Sequence, residues 1–363
     1  MSFDMKLQIP LFLLLVPALF IFSCGKSSSG KTKSNTGGPD VYVSGYSYHS
    51  GTYSATYWKN GIATILDNST NLTEAYGIAV SGTDVYVIGT SQNTTQGYAV
   101  YWKNGVKYNL ADPSNFSFTN SITIQGSDVY ITGTTSSSVI EPNGSQQTIP
   151  VVWKNGVASP LTDTTVSIQG GAIAFNGTDM YVAAQIFDLS GTPPQVAELF
   201  KNNIHAPISL SDYYDSAIAG ISVQNNDIYL AGWGQRSGID TAVYWENGNI
   251  IALPPLPGYT QAEATGIAFL GTDMYIVGYS FTDTNTSPIF TVATLWKNGV
   301  PTKLSNGPKA SIANAIAIQG NDVYVAGMDG AGAAAYWKNG NLVELSTLGG
   351  QAVYATGIMV VPN

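Results

Sequence analysis

Apolar and polar residues alternate with a period of two through most of the chain from Asp40 onward, and the alternation is broken at short intervals by polar turns. Between Glu74 and Leu110, for example, Gly77-Ile78-Ala79-Val80, Asp84-Val85-Tyr86-Val87 and Tyr98-Ala99-Val100-Tyr101-Trp102 follow one another closely. Such short runs, rich in β-branched and aromatic residues, predict strands. No segment keeps a helical period over the ~10–12 residues that would require a helix.

The same unit then recurs. Asp-x-Tyr-x stands at Asp40, Asp84, Asp128, Asp179, Asp227, Asp273 and Asp322, at successive spacings of 44, 44, 51, 48, 46 and 49 residues. Each unit parses into four strands, a to d. Strand a opens on a small residue followed by isoleucine, as in Gly77-Ile78 and Gly266-Ile267, and small residues suit the crowded axis of a ring of sheets. A polar turn leads to the Asp-x-Tyr strand b, which closes on Gly45, Gly89, Gly133, Ala184, Gly232, Gly278 or Gly327. Strand c ends in Trp-Lys-Asn-Gly at Trp58, Trp102, Trp153, Trp296 and Trp337, with variants at Phe200 and Trp245. Asn-Gly between two strands predicts a type I′ hairpin into strand d.

The ends of the repeated region complement each other. It enters at strand b of the first unit and finishes with Ala355–Val361, a strand a with no b after it. The two halves predict one closed body: an all-β, seven-bladed β-propeller of four-stranded antiparallel blades, with the C-terminal strand innermost in the N-terminal blade. The expected organisation is a signal peptide at 1–23, a lipidated cysteine and flexible linker at 24–39, and the propeller at 40–363.

Composition narrows the function classes. The chain carries a net charge of −9 and one arginine, Arg236, which disfavours nucleic acid as a partner. One cysteine, Cys24, and two histidines, His49 and His205, exclude an internal disulfide and a cysteine–histidine zinc cluster. No metal and no cofactor is expected.

Lys6, the apolar run Leu11–Phe22 and Ser23 before Cys24 read as a secretory signal. Ile21-Phe22-Ser23-Cys24 resembles the lipobox of bacterial lipoproteins, which implies that Cys24 becomes the lipidated first residue of the mature chain. Gly25 rather than Asp follows it, favouring the outer over the inner membrane. The Gly/Ser/Thr/Lys linker would hold the body about 20 Å from the lipid. Ala335-Tyr336-Trp337-Lys338-Asn339-Gly340, with Thr347-Leu348-Gly349-Gly350 and Gly357-Ile358, resembles the HAF-type extracellular repeat, and the Asp-Val-Tyr-Val segments look like other bacterial β-propeller repeats. That resemblance implies a fold and an address but transfers no activity.

In such blades the a–b and c–d turns share one face, while the b–c and d–a loops share the other. The second set varies in length, so recognition is expected there. The loop face collects carboxylates including Glu74, Asp212, Asp215, Asp240, Glu263 and Asp329, while most lysines sit in the opposite turns. The molecule is therefore expected to be electrically lopsided. Aromatic residues of the same loops, with Arg236, make the candidate binding set: Tyr46, Tyr48, Tyr53, Tyr213, Tyr214, Trp233, Arg236, Tyr259 and Phe281. Asp212–Asp215 and Asp283–Thr286 lack the ligand spacing of a dedicated calcium loop. A serine-protease-type triad would have to rest on His49, with no nucleophile motif beside it.

The expectation is a monomeric, lipid-anchored envelope protein, a non-catalytic scaffold for a protein or glycan. The alternative is a propeller hydrolase or lyase using carboxylates at the channel mouth, for which a converging pair roughly 5–10 Å apart is needed. A structural envelope-assembly component is the second alternative.

Overall fold

The computed structural model describes residues 37–49, 51–67, 69, 71–140, 146–161, 167–187, 195–282, 290–347 and 351–363. Cys24 and its surroundings lie outside these residues. Seven four-stranded antiparallel sheets form the body, and all described regular structure is strand. Six sheets run a-b-c-d in chain order; in blade 5 these are Asp215–Gln224, Asp227–Arg236, Ile239–Glu246 and Asn249–Ala252. Blade 1 joins the chain ends: strand a is Gln351–Val361, paired antiparallel to strand b, Asp40–His49, with Val43 opposite Ile358. The closed ring is a seven-bladed propeller, as the complementary ends predict.

The repeated motifs hold each blade at its turn end. Asn60 and Gly61 have φ of 52° and 82°, the paired positive values of a type I′ turn, and the pattern recurs at Asn104-Gly105, Asn155-Gly156, Asn247-Gly248, Asn298-Gly299 and Asn339-Gly340. In blade 6 the Asn298 side chain accepts from the Met274 amide at 2.8 Å and donates to Asp273 at 2.8 Å. Lys297 Nζ lies 2.7 Å from the other Asp273 oxygen and 5.3 Å from the Tyr275 ring centre. The arrangement repeats at Asp40–Lys59, Asp84–Lys103, Asp128–Lys154, Asp179–Lys201 and Asp322–Lys338, all at 2.7 Å. Asp-x-Tyr and Trp-Lys-Asn-Gly are thus two halves of one latch. Each turn-face lysine is balanced by an aspartate of its own blade, so the turn face is less positive than a count of lysines suggests.

Packing between blades comes from strand c. Trp58, Trp102, Trp245 and Trp296 are fully buried, and Trp153 and Trp337 nearly so. The indoles of Trp58, Trp245 and Trp296 donate to the carbonyls of Ser346, Ser209 and Pro254, each just beyond strand d of the preceding blade.

Strand a carries a bulge next to the strand-b glycine, as between Ala75 and Gly77 or Ala264 and Gly266. A Cβ on Gly278 would stand 2.0 Å from the Glu263 carbonyl oxygen, which explains why glycine recurs there. Bulging frees a carbonyl on the inner strand, and neighbouring side chains take it up. Thr265 Oγ1 donates to Ala313 O at 2.7 Å, Asn314 Nδ2 to Ala355 O at 2.8 Å, and Thr356 Oγ1 to Ala75 O at 2.8 Å. These bonds tie successive inner strands around part of the channel.

Candidate functional site

Strand b continues past its glycine into what the sequence suggests is loop, and burial divides the aromatic set. Tyr46, Trp233 and Phe281 are buried at 5%, 8% and 4% exposure, whereas Tyr48 and Tyr214 are exposed at 44% and 47%. Tyr53, Tyr213 and Tyr259 are half-buried. The side chain of His49 lies outside the described residues, and His205, on the outer strand of blade 4, pairs with Glu198.

Two groups form. At blades 1 and 2, Tyr46 contacts Tyr53 edge-on at 5.5 Å and Tyr354 at 5.2 Å, and Tyr48 meets Tyr53 at 5.4 Å. Nearby, Glu74 accepts from the Tyr76 hydroxyl at 2.6 Å, and burial raises its carboxyl pKa. Burial, and after it the charge of Glu74, pushes the Tyr46 phenol far up.

The second group, at blades 5 and 6, is more polar. Arg236 Nη1 lies 2.6 Å from Asp212 and its guanidinium 5.8 Å from the Tyr213 ring centre. Tyr213 packs on the backbone of Gly234, where a Cβ would meet its ring at 2.7 Å. Alongside runs a row across the loop end of blade 5, since Asp215 opposes Gln235 and Gln235 opposes Asp240. The Tyr214 hydroxyl donates to Gln235 Oε1, and Gln235 Nε2 donates to Asp240 Oδ1 at 2.6 Å. From blade 6, buried Gln261 accepts from the Asp240 amide at 3.0 Å, and Glu263 accepts from the Tyr279 hydroxyl at 2.6 Å.

Three carboxyl groups are therefore gathered where water is scarce. Burial, reinforced by Asp240, pushes Asp215 up to about 6. Glu263 rises to about 7 through burial, which outweighs the lowering by the Tyr279 bond, with Asp240 adding to the rise. Burial also raises Asp240, against the Gln235 bond. Carboxyls poised near neutrality can exchange protons or hold a cationic group. Among the described residues no three His, Cys, Asp or Glu side chains converge as a metal site.

Gln235, Gln261 and Tyr279 are absent from the sequence-derived set. Tyr279 directly follows the strand-b glycine, as Tyr46 and Trp233 do, and that offset was the available signal.

No family model matches the chain, and no curated protein matches its sequence. Solved structures match in shape alone. The β-propeller domain of the Trilobed protease from Pyrococcus furiosus is 8% identical, with 87% of this chain and 96% of that one covered at a TM-score of 0.49. Sucrose-6-phosphate hydrolase from Lactobacillus gasseri is 11% identical over 80% of this chain and 79% of that one, at a TM-score of 0.39. Trypanosoma rangeli sialidase is 11% identical over 86% and 49%, also at 0.39. Likeness at this level carries no activity to the present chain.

Proposed function

We propose that the chain is a bacterial envelope lipoprotein, anchored through acyl chains on Cys24, whose propeller is a non-catalytic scaffold that binds a protein or glycan on its loop face. The observation that supports this reading is the cluster at blades 5 and 6. There exposed Tyr214, half-buried Tyr213 and the Arg236–Asp212 pair flank a row of amide and carboxylate groups. Aromatic faces beside polar groups are what a sugar ring or a protein hot spot engages. The test is capture from envelope extracts and on a glycan array, comparing the chain with its Tyr214→Ala and Arg236→Ala variants. A ligand lost in both variants supports the reading; a ligand retained undiminished in both sinks it. Palmitate labelling that survives Cys24→Ser would remove the anchor.

A second reading is favoured by one feature of the same cluster. Glu263, its pKa near neutrality with the charge of Asp240 adding to the rise, has the character of a general acid with a carboxylate in its field. This is the glycan hydrolase or lyase alternative. Turnover of any polysaccharide that disappears in Glu263→Gln would favour it over the scaffold.

A further inference from the structure

The outer strand of each blade opens directly after the c–d turn, and an edge strand in such a place is ordinarily guarded by charge. Here its first residue is a β-branched aliphatic in five blades: Ile62, Val106, Val157, Ile204 and Val300. These side chains are between 55% and 72% exposed. Apolar residues scattered singly on a surface need no explanation, but recurrence at one position of a repeat does. The recurrent tryptophan of strand c is covered by the neighbouring blade. The recurrent aliphatic of strand d is left more than half uncovered by the molecule itself.

Equivalent positions of a closed ring of blades lie in one plane across its axis. A flat occupant therefore meets all five side chains at once, whereas a peptide or a globular partner would meet one or two. The arc is continuous over blades 1 to 4. In blade 5 the position holds Asn249, and there the latch lysine is replaced by Glu246, so that Asp227 and Glu246 leave this end of the blade acidic. Blade 7 holds Asn341. Blade 5 has thus lost the aliphatic and the lysine together, which fits a shared neighbour that is both apolar and anionic.

The chain itself enters on this face. Strand b of blade 1 begins at Asp40, whose carboxylate takes the Asn60 side chain and Lys59 at 2.7 Å each, beside the turn that precedes Ile62. Gly38 is held there too, its carbonyl accepting from the Asn363 side chain. The sequence before Gly37 carries the apolar run Leu11–Phe22 and then Cys24, followed by Lys26, Lys31 and Lys33. The loop face lies a full strand away, ten residues of strand b at ~3.3 Å each, or about 30 Å. A tether of about 20 Å that leaves from the turn face does not bring the loop face round to the lipid.

We propose that the turn end of the propeller, through Ile62, Val106, Val157 and Ile204 of blades 1 to 4, rests on the surface of the bilayer and so presents the loop face away from it. The polar turns and the lysines lie among the headgroups, and the aliphatic side chains dip below them. Each of these four blades pairs one lysine with one aspartate at this end. The arc therefore approaches an anionic headgroup layer without the repulsion that a net charge of −9 implies for the whole chain. This rests on the reading of the chain as membrane-anchored, and it adds a second contact to the tether.

The test is fluorescence quenching by nitroxide-labelled lipid in vesicles of phosphatidylethanolamine and phosphatidylglycerol. The lipidated full chain is reconstituted with one fluorophore on an introduced cysteine, the native Cys24 being blocked by its acyl chain. Labels on Val157→Cys and Ile204→Cys are expected to be quenched about threefold or more above a label on Tyr214→Cys at the loop face, with circular dichroism showing each variant folded. Adding Ile62→Asp and Val106→Asp should at least halve the quenching at position 157. Equal quenching at the two ends, stronger quenching at position 214, or quenching at 157 that ignores the two aspartates overturns the proposal. Failure of the anchor reads out separately. If the chain takes up no palmitate, the acyl anchor falls, and the same labels in a Cys24→Ser chain, with Leu11–Phe22 present, still decide the orientation. A chain that then binds no vesicle overturns this inference as well. A loop face that captures neither protein nor glycan sinks the scaffold reading and leaves the quenching result standing.

Discussion

The turn end of the blades and the loop end of blades 5 and 6 are built from the same residue types with opposite outcomes. At the turn end, each aspartate of six blades meets a lysine and an asparagine of its own repeat, and its pKa is held below the usual value by the lysine first and the asparagine second. At the loop end, no lysine or arginine meets Asp215, Asp240 or Glu263, Asp240 adds to the rise of the other two, and all three are shifted up. Repetition, then, has produced local self-sufficiency. The unmet demand lies where the repeat has been abandoned, which is also where a partner has something to supply.

The largest effect that would sharpen this contrast lies in the repeated frame. Trp296 is fully buried and its indole bonds the Pro254 carbonyl at 2.6 Å, joining blade 6 to blade 5. Trp296→Ala removes both packing and bond and should destabilise the propeller by about 3–5 kcal/mol. Urea unfolding measures it. A loss below 1 kcal/mol would mean that the blades do not depend on this staple.

Next comes the latch. Asn298 sits at φ 49° and bonds both Met274 N and Asp273. Asn298→Ala puts an alanine in the left-handed region and removes both bonds, for a loss of about 2 kcal/mol. The same denaturation experiment reads it. If the change is neutral, turn-end self-sufficiency is decorative rather than stabilising.

The loop end should respond in the other direction. Because Asp215 has a folded pKa of about 6, above the ordinary value of 3.8, the folded state binds its proton more tightly than the unfolded chain does. Stability therefore falls as pH rises from about 4 to above 6. Asp215→Asn should relieve that penalty and stabilise the protein by about 1–2 kcal/mol at pH 7.5, with the gain fading as pH drops toward 4. Melting curves across this range decide it. A variant less stable than the parent at pH 7.5 would show that Asp215 has an ionic partner in the folded protein.

The contrast also explains what was legible from residues alone. Blade number, strand order and ring closure were readable because each rests on residues that recur, and recurrence marks positions where every blade meets the same neighbour. The site is less readable because it depends on where strand b ends. Taking Gly45, Gly232 and Gly278 as strand ends assigns Tyr46, Trp233 and Phe281 to loops, yet the strands run on to His49, Arg236 and Phe281, and alternation turns those rings inward. Similarly, Asp215 and Glu263 read as loop acids but lie within strand a, facing a neighbouring blade. Nothing in a single sequence says that Asp240 and Glu263 approach each other, because blade-to-blade proximity is a property of the closed ring.

The smallest expected effect tests whether blade 5 is exceptional at both ends. Its strand c reads Trp245-Glu246-Asn247-Gly248, with glutamate where five other blades have lysine after tryptophan. Asn247 still bonds Asp227 at 2.8 Å and the Ile228 amide at 3.0 Å, so the backbone half of the latch is kept. The charged half is not: Glu246 accepts from the Tyr229 hydroxyl at 2.8 Å, and burial followed by that bond pushes Tyr229 up to about 12. Glu246→Lys would restore the pair with Asp227 and place an ammonium over the Tyr229 ring, as Lys297 lies over Tyr275. It would also forfeit the tyrosine bond, and exposed ion pairs are weak, so the melting temperature should rise by only about 1 °C. That gain should vanish in high salt, because screening removes the new attraction while leaving Asn247 in place. A clear loss of stability would mean that blade 5 has settled around its acidic pair. Glutamate would then be part of how this blade differs from the rest, rather than a tolerated lapse in the repeat.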